Sequence, residues 1–192
     1  IAVVGAGSWG TAIVSIVSIN NKLMWWVRRE SQIKQITSKK RNTRYLPNCA
    51  LKTNQIQLTN NISDVFYYAD IIIIATPSEY LSSTFTKTKD SYKDKIIISA
   101  VKGVITQDNQ TPKQFFESLS SSIKYGVISG PCHAEEVALQ KKSYLTISVD
   151  DPLLNEVLYS IFDVEFIDVK ISTDIIGTEL SAILKNVYAL IT

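Results

Sequence analysis

The sequence has few of the side chains that metal sites and hydrolases require. It contains one histidine, His133, and two cysteines, Cys49 and Cys132, among 192 residues. A single histidine excludes a histidine-rich zinc site and leaves little room for a Ser–His–Asp hydrolase. The two cysteines are far apart in sequence and lack the spacing of metal-binding or redox motifs. We therefore predict no metal site and no disulfide framework.

Long hydrophobic runs and an excess of one charge sign are also missing. The apolar run at residues 71–75 is far shorter than a membrane span, and the first residues do not resemble an export signal. Twenty Lys and Arg against 18 Asp and Glu give a net charge of +2, which is too balanced for an electrostatic nucleic-acid surface. We expect a cytoplasmic protein with no nucleic-acid partner and no membrane span.

From the two ends of the sequence we expect a piece of a longer protein. The only methionine is Met24, and Thr192 lies in an apolar periodic stretch that has no Gly, Asn or Pro stop signal. A length of 192 residues accommodates one domain and the start of another.

Short apolar runs alternate with helical stretches along most of the sequence. The runs are continuous rather than alternating, as in a parallel sheet that is covered on both faces. We predict strands at residues 1–4, 23–27, 56–58, 71–75, 96–101, 125–128, 145–149 and 164–169. Helices are predicted at 9–19, around 33–36, and at 63–68, 114–119, 131–139 and 153–162, with Pro131 at the first position of its helix. Residues 39–52 are polar and basic, which predicts a surface loop.

The pattern changes near residues 171–177 to a single long helix. Its apolar residues recur at helical spacing and predict a buried stripe of Ile176, Leu180, Ile183, Leu184, Val187, Leu190 and Ile191. Lys185 lies on another face, among the small residues Thr178, Ala182 and Ala189. Taken by itself, a solvated surface lysine is the simpler interpretation, although small neighbours would also let a ligand approach the ammonium group. We divide the chain into a domain at residues 1–170 and the start of a second domain at 171–192.

The sequence GAGSWG at residues 5–10 is a G-x-G-x-x-G motif between the first predicted strand and the first predicted helix. Gly5 permits the tight turn, Gly7 lets the backbone approach a pyrophosphate, and Gly10 allows close packing of helix and strand. The following helix directs free N–H groups and the positive end of its dipole at the phosphates. We interpret this motif as the dinucleotide-binding loop of a doubly wound, Rossmann-like, mostly parallel sheet; a merely tight βα turn is the alternative.

The residues after the second predicted strand bear on which dinucleotide is bound. An NAD site usually places an acidic residue there, whereas this sequence has Arg28, Arg29 and only then Glu30. Two guanidinium groups suit a 2′-phosphate through bidentate and stacking contacts. We therefore favour NADP, and Glu30 leaves NAD possible. The alternative is that both arginines only end the strand in solvent.

Together with the glycine loop, five further segments make the chain resemble the bacterial-type NAD(P)-dependent glycerol-3-phosphate dehydrogenases. In family order the matching segments are GAGSWGTA at 5–12, TRYLPN at 43–48, ATPS at 75–78, SAVKG at 99–103, SGPCHAEEVA at 129–138, and IGTEL with ILKNVYAL between 176 and 190. The resemblance implies hydride exchange between a nicotinamide ring and the central carbon of dihydroxyacetone phosphate or sn-glycerol 3-phosphate, which feeds glycerophospholipid synthesis. It also implies a homodimer when full length, and a second, all-helical domain with further substrate residues.

The resemblance implies roles for particular residues. The family's catalytic lysine matches Lys185, and a second lysine, on the substrate and cofactor side, matches Lys102. Substrate contacts also match Gly130 and Cys132, where Cys132 departs from the more usual Ser or Thr. The cofactor-binding residues that we predict from the loop and the resemblance are Gly5, Gly7, Ser8, Trp9, Gly10, Arg28, Arg29, Tyr45, Pro77, Lys102 and Ala134.

The chemistry of ketone reduction gives a reason for two lysines at one active site. The developing alkoxide needs a proton donor, and a lysine can serve near neutral pH if burial or a second ammonium group lowers its pKa from about 10.4. Lys102 close to Lys185 would have this effect, and both would stabilise alkoxide charge. We expect His133 to be a packed or hydrogen-bonded residue, and Trp25 and Trp26 to belong to the core.

Other classes of function are alternatives. A related two-domain dehydrogenase, acting on a 3-hydroxy acid or a sugar acid, would share the glycine loop but not both lysine segments. A non-catalytic dinucleotide-sensing module would bind the cofactor without turnover. A purely structural α/β interaction domain would leave the glycine loop and the lysine segments unexplained. We expect that these 192 residues alone bind a dinucleotide and have little or no dehydrogenase activity.

Overall fold

The computed structural model describes residues 1–86, 88, 92–105 and 109–188, with the backbone only for 186–188. Within these ranges the chain forms eight strands and eight α-helices. The strands are β1 (Ala2–Val4), β2 (Leu23–Trp26), β3 (Ile56–Thr59), β4 (Ile71–Ile74), β5 (Ile96–Ser99), β6 (Lys124–Ser129), β7 (Ser143–Val149) and β8 (Ile167–Ser172). The helices are α1 (Ser8–Val17), α2 (Glu30–Lys39), α3 (Ile62–Tyr68), α4 (Leu81–Phe85), α5 (Pro112–Leu119), α6 (Ala134–Ala138), α7 (Pro152–Phe162) and α8 (Ile175–Tyr188).

The eight strands form one sheet in the order β3-β2-β1-β4-β5-β6-β7-β8. Neighbouring strands are parallel except for β6 and β7, which are antiparallel. The chain first runs outward from β1 to β3 and then returns to place β4 on the other side of β1. This reversal opens a crevice at the carboxyl ends of β1 and β4, where ligands bind in folds of this kind. The predicted doubly wound, mostly parallel sheet is confirmed.

The central strands are buried on both faces. Because successive side chains of a strand point to opposite faces, Trp25 and Ile73 lie in one apolar core together with α1, while Trp26 and Ile74 lie in the core on the other face. Both tryptophans are buried, as predicted. Cores on both faces explain why the strands read as continuous apolar runs.

The polar segment at residues 39–52 is a loop from residue 40 onward and most of its residues are exposed, as predicted, but four of them are buried. Asn42, Leu46, Cys49 and Leu51 are all buried, and the three apolar residues join the core that includes α1. The main-chain N–H groups of Tyr45 and Leu46 donate to the carbonyl oxygen of Asn42, at 3.2 and 2.9 Å, and close a turn. Each buried residue stands alone among exposed residues, so the composition of the segment does not show that these residues pack against the core.

The helix predicted at 131–139 begins later, at Ala134, so Pro131 is not its first residue. The main-chain N–H of His133 donates to the Glu136 carboxylate at 3.4 Å, which fixes the start of the helix at that point. His133 has extended backbone angles and is exposed, so of the two expected surroundings, packed or hydrogen-bonded, it has the second.

Helix α8 is present as predicted, but the face expected to be buried was wrong. The buried residues of α8 are Ile175, Thr178, Glu179 and Ala182, whereas Ile176, Leu180 and Leu184 are exposed by 65%, 44% and 38%. Small residues allow α8 to approach β6 and β7 closely, and the hydroxyl groups of Thr178 and Ser148 are 2.6 Å apart. The side chain of Val187 and residues Ala189, Leu190 and Ile191 lie outside the described part of the chain.

None of the described helices is both long enough and apolar enough to cross a lipid bilayer.

Candidate functional site

The loop between β1 and α1 turns sharply at Gly5, whose φ is +116°. A Cβ on Gly5 would lie 2.6 Å from the carbonyl oxygen of Ala75, and a Cβ on Gly10 would overlap the carbonyl oxygen of Gly5. The fold itself therefore requires both glycines. Gly7 differs, because a Cβ there would meet nothing within 4 Å. The open space in front of Gly7 is what a ligand needs in order to come close to the backbone.

The main-chain N–H groups of this loop are available to an anion. In the described ranges, none of the N–H groups from Ala6 to Gly10 donates to a protein acceptor, whereas the N–H of Gly5 donates to Trp26 at 3.3 Å and that of Thr11 to Gly7 at 2.9 Å. No side chain caps the start of α1. Free donors and the positive end of a helix dipole together form an anion-binding site.

A cavity of about 150 Å³ lies beside the loop, at the carboxyl end of β2. Arg28 and Arg29 line it, together with Tyr45 and with Tyr80 from the short 3₁₀ turn Ser78–Tyr80. The guanidinium carbon of Arg28 is 5.0 Å from the centroid of the Tyr80 ring. Guanidinium groups and aromatic rings can stack on a base, and guanidinium groups also bind phosphate. The sequence reasoning missed Tyr80.

A second cavity, of about 490 Å³, continues from the loop along the carboxyl ends of β4 and β5. The two cavities share Gly7 and Pro77 in their linings and therefore adjoin each other. Trp9 and Lys102 also line the second cavity. An elongated ligand could thus run from the arginines past the glycine loop to Lys102.

Lys102 follows β5 and lies over the indole ring of Trp9, with its Nζ 4.6 Å from the ring centroid. The pKa of Lys102 is lowered from 10.5 to about 8, mainly because burial desolvates the ammonium group and in addition because the charge of Lys185 lies nearby. This side chain can therefore release and bind a proton in mildly alkaline solution.

Lys185 reaches the same edge of the sheet from α8. Its Nζ donates to the main-chain carbonyl oxygen of Cys132 at 3.2 Å, and its charge acts on Lys102. The structure thus brings together two lysines that are far apart in sequence. Lys185 is partly buried, so it is not the solvated surface residue that its helix face alone would indicate.

A third cavity, of about 390 Å³, lies next to Lys185. Its lining is rich in hydroxyl groups and consists of Ser129, Gly130, Pro131, Thr146, Thr178, Ser181 and Lys185. A small space with several hydrogen-bonding groups and one ammonium group suits a small polar or anionic ligand.

The remaining predicted site residues differ in their surroundings. Gly130 lines the third cavity, but a Cβ there would overlap the carbonyl oxygen of Tyr144, so packing alone already requires glycine. Cys132 is buried, and burial raises the pKa of its thiol. The Ser8 hydroxyl donates to the carbonyl oxygen of Tyr45 at 3.1 Å and joins the turn to the glycine loop. Ala134 is buried in the core with α1 and is not part of the lining of the three cavities.

Among the residues that the structure describes, no group of three or more His, Cys, Asp or Glu side chains is placed to hold a metal ion.

A glycine loop at the crevice of a doubly wound sheet, followed by a helix with free N–H groups, defines a Rossmann-like domain of the dinucleotide-binding class. Comparison with known families is more specific. The family model described as "NAD-dependent glycerol-3-phosphate dehydrogenase N-terminus" matches residues 1–154. The chain belongs to this family.

Individual relatives agree with the family. The protein named glycerol-3-phosphate dehydrogenase (NAD(P)+) from Staphylococcus carnosus is 31% identical to this chain. The alignment covers 98% of this chain and 58% of that protein. The protein of the same name from Macrococcus caseolyticus is 29% identical, over 99% of this chain and 58% of that protein. A solved structure of Plasmodium falciparum glycerol-3-phosphate dehydrogenase matches with a TM-score of 0.90 at 26% identity, over 99% of this chain and 57% of that one. The chain thus spans somewhat more than half the length of these relatives.

Proposed function

We propose that this protein is an oxidoreductase that transfers hydride between NADP(H) or NAD(H) and the central carbon of dihydroxyacetone phosphate or sn-glycerol 3-phosphate. The observation that carries the proposal is the meeting of Lys102 and Lys185 at the edge of the sheet that bears the glycine loop. The relatives' name, glycerol-3-phosphate dehydrogenase (NAD(P)+), supports the substrate and the reaction.

The residues present fit a dinucleotide. The free N–H groups between Ala6 and Gly10 and the open space at Gly7 suit a pyrophosphate. Arg28 and Arg29 suit a 2′-phosphate, and the Glu30 carboxylate accepts from the Asn60 side chain at 3.2 Å, so one of its oxygens is already engaged. NADP is therefore our preferred cofactor. The cofactor contacts that we propose and that line the first two cavities are Gly5, Gly7, Ser8, Trp9, Arg28, Arg29, Tyr45, Pro77 and Lys102, joined by Tyr80. We also propose Gly10, through its free N–H, and Ala134, for which the resemblance to the family is the only support, because it is buried in the core with α1.

The two lysines divide the proton chemistry between them. When bound, the nicotinamide supplies the hydride to the carbonyl carbon or takes it back. Lys185 gives a proton to the carbonyl oxygen as negative charge develops there, and accepts it in the reverse reaction. Lys102 stabilises the developing negative charge on that oxygen. The hydroxyl-lined cavity next to Lys185 is the proposed space for the substrate, and Gly130 lines it. Cys132 is buried beside it and contributes the main-chain carbonyl oxygen that accepts from Lys185.

The wider assignments follow from the same proposal. We assign residues 1–170 to the dinucleotide-binding domain and 171–192 to the start of a helical substrate domain, with the last two residues of β8, which ends at Ser172, still paired in the sheet. The full-length protein is proposed to be a cytoplasmic homodimer that supplies glycerol 3-phosphate to glycerophospholipid synthesis. The resemblance places the residues that bind the substrate phosphate in the second, helical domain. The 192 residues alone are therefore expected to bind the cofactor with little turnover.

The test is the oxidation of NADPH by the full-length protein in the presence of dihydroxyacetone phosphate, followed by the loss of NADPH fluorescence. We expect turnover with this ketone and none with a 3-keto acid. Turnover with the 3-keto acid alone would indicate a related dehydrogenase. Binding of NADPH without oxidation of the nicotinamide would indicate a sensing module, and either result would contradict the proposal.

A further inference from the structure

Three successive carbonyl oxygens of the glycine loop, those of Gly5, Ala6 and Gly7, accept hydrogen bonds from within the protein. The indole Nε1 of Trp25 donates to the Gly5 carbonyl at 2.9 Å, and the main-chain N–H and hydroxyl of Thr11 donate to the Gly7 carbonyl at 2.9 and 2.8 Å. Between them, the Ala6 carbonyl accepts two side-chain donors, the Nδ2 of Asn42 and the Nε2 of Gln32, both at 3.0 Å. These hydrogen bonds to the carbonyl oxygens fix the orientation of three successive peptide groups.

Asn42 is the centre of this arrangement. Its side chain is fully buried. Its Nδ2 donates to the Ala6 carbonyl and, at 2.8 Å, to the Thr11 hydroxyl, while its Oδ1 accepts from Gln32 at 3.2 Å. A buried carboxamide whose donors and acceptor are all engaged has one preferred orientation.

Because of peptide geometry, the hydrogen bonds to the Ala6 carbonyl also affect the N–H groups that would face a ligand. In a planar trans peptide the C=O and the N–H point in opposite directions, so holding the Ala6 carbonyl also directs the N–H of Gly7. Because glycine tolerates more backbone conformations than other residues, the Ala6–Gly7 peptide could otherwise rotate and turn its carbonyl oxygen toward a bound anion. A carbonyl facing the pyrophosphate would replace attraction by repulsion.

We propose that Asn42, assisted by Gln32, is a positioning residue of the dinucleotide site, which holds the glycine loop so that its N–H groups face the cofactor pyrophosphate. This proposal rests on the proposed dinucleotide binding. Asn42 also connects two parts of the site, because its carbonyl oxygen accepts the N–H of Tyr45 in the turn beside the arginine cavity. Asn42 does not line that cavity, so it acts through the loop. Gln32 does line it, but its Nε2 already donates to the Ala6 carbonyl and to Asn42.

The Asn42→Asp variant tests the proposal, because it keeps the size of the side chain and removes both N–H donors. In the full-length protein we expect the Kd for NADPH to rise at least about tenfold. Adenosine 2′-monophosphate, which carries the adenosine half without a pyrophosphate, should bind with a Kd changed by less than about twofold. Calorimetric titration measures both constants. Asn54→Asp, which makes the same change at an exposed position of the 3₁₀ turn Thr53–Gln55, is the matched control and should bind both ligands like the unaltered protein.

Gln32→Ala provides a second variant should Asn42→Asp fail to fold. It removes one of the two donors to the Ala6 carbonyl, so the Kd for NADPH should rise about fivefold. An unchanged NADPH affinity in folded Asn42→Asp, or in Gln32→Ala if only that variant folds, would overturn the proposal. Equal weakening of both ligands would overturn it too, since that result describes a general folding defect. Failure of the unaltered protein to bind NADPH would instead contradict the proposed function.

Discussion

The Nζ of Lys185 lies 3.2 Å from the main-chain carbonyl oxygen of Cys132. This hydrogen bond joins α8 to the loop that follows β6, at the carboxyl edge of the sheet. The ammonium group is close enough to Lys102 for its charge to lower the pKa of that residue, and Lys185 lines the hydroxyl-rich cavity. Helix α8, at the end of the described chain, thus places the Lys185 ammonium group at the same edge of the sheet as the glycine loop that follows β1.

Lys185→Ala is expected to remove the proton donor and leave the nucleotide cavities intact. Turnover of dihydroxyacetone phosphate should fall at least about a hundredfold, because general acid–base catalysis typically contributes that much. The Kd for NADPH should stay within about twofold, since the cofactor contacts lie on other elements. Steady-state kinetics and calorimetry measure the two quantities. Lys170→Ala, at an exposed position of β8, should change neither; near-normal turnover in Lys185→Ala would refute its role.

The pKa of Lys102 predicts a pH dependence of stability. The folded protein holds this proton with a pKa of about 8 and the unfolded chain with a value near 10.5. Below pH 8 both states are protonated, and folding bears the full penalty of the desolvated charge. Between pH 8 and 10.5 the unfolded state binds more protons, so stability rises with pH.

Comparison with Lys102→Met isolates this effect. Relative to that variant, the unfolding free energy of the unaltered protein should increase by about 2 kcal/mol between pH 7 and 10.5, a figure reduced for partial solvent exposure. Denaturant titrations at the two pH values provide the measurement. If the difference between the two proteins stays constant with pH, Lys102 has an ordinary pKa.

Arg28 is expected to determine the preference between the two dinucleotides. Its guanidinium group lies over Tyr80 at the cavity beside β2, and a guanidinium group recognises a 2′-phosphate by charge and geometry. Arg28→Ala should raise KM for NADPH about tenfold or more and KM for NADH less than about twofold, because one charged hydrogen bond contributes that much. Lys34→Ala, an exposed charge change on α2, serves as the control. Equal losses for both cofactors would contradict the assignment.

Two of the three glycines of the loop, Gly7 and Gly10, should respond differently to alanine. Gly10→Ala places a methyl group on the Gly5 carbonyl and should lower the unfolding free energy by about 2 kcal/mol or more. Gly7→Ala meets open space, so its stability should change by less than about 1 kcal/mol, while its NADPH Kd rises about tenfold because the methyl group stands in the path of the pyrophosphate. Thermal unfolding and calorimetry separate the two effects. Tight NADPH binding by Gly7→Ala would mean that the pyrophosphate takes another route.

Glu179 is expected to anchor α8 to the sheet domain. Its buried carboxylate accepts from the Tyr125 hydroxyl at 2.5 Å and from the main-chain N–H of Lys113 at 3.1 Å. Burial and the Glu179 charge raise the pKa of Tyr125 well above its usual value, so Tyr125 remains the donor. Glu179→Ala leaves both donors unpaired and should lower the unfolding free energy by about 3 kcal/mol. Glu156→Ala, exposed on α7, should change it by less than about 0.5 kcal/mol; similar effects for both variants would exclude an anchoring role.

The strands and the glycine loop could be predicted because their signals are local. Continuous β-branched runs such as β4 indicate burial on both faces, and the G-x-G-x-x-G spacing specifies a turn. The buried face of α8 could not be predicted in this way, since periodicity shows which residues share a face but not which face meets the sheet. Here the small residues Thr178 and Ala182 pack inward because they allow a close approach.

The supporting residues of the site had no sequence signal of comparable strength. Asn42 is one amide in a basic segment, and its role depends on three contacts from separate elements. Lys102 and Lys185 each read as surface lysines when taken alone, and only the fold, or the resemblance to a family, brings them together. Their catalytic and binding roles stay predictions until the variants are measured.

The most direct measurement of the central claim follows the hydride itself. The full-length protein would be mixed with dihydroxyacetone phosphate and with NADPH that carries deuterium at both positions of the nicotinamide C4, and the product analysed by mass spectrometry and NMR. Direct transfer predicts one deuterium, bonded to the central carbon of sn-glycerol 3-phosphate. A protein that binds NADPH but forms no such product, or forms it without deuterium at that carbon, would contradict the account.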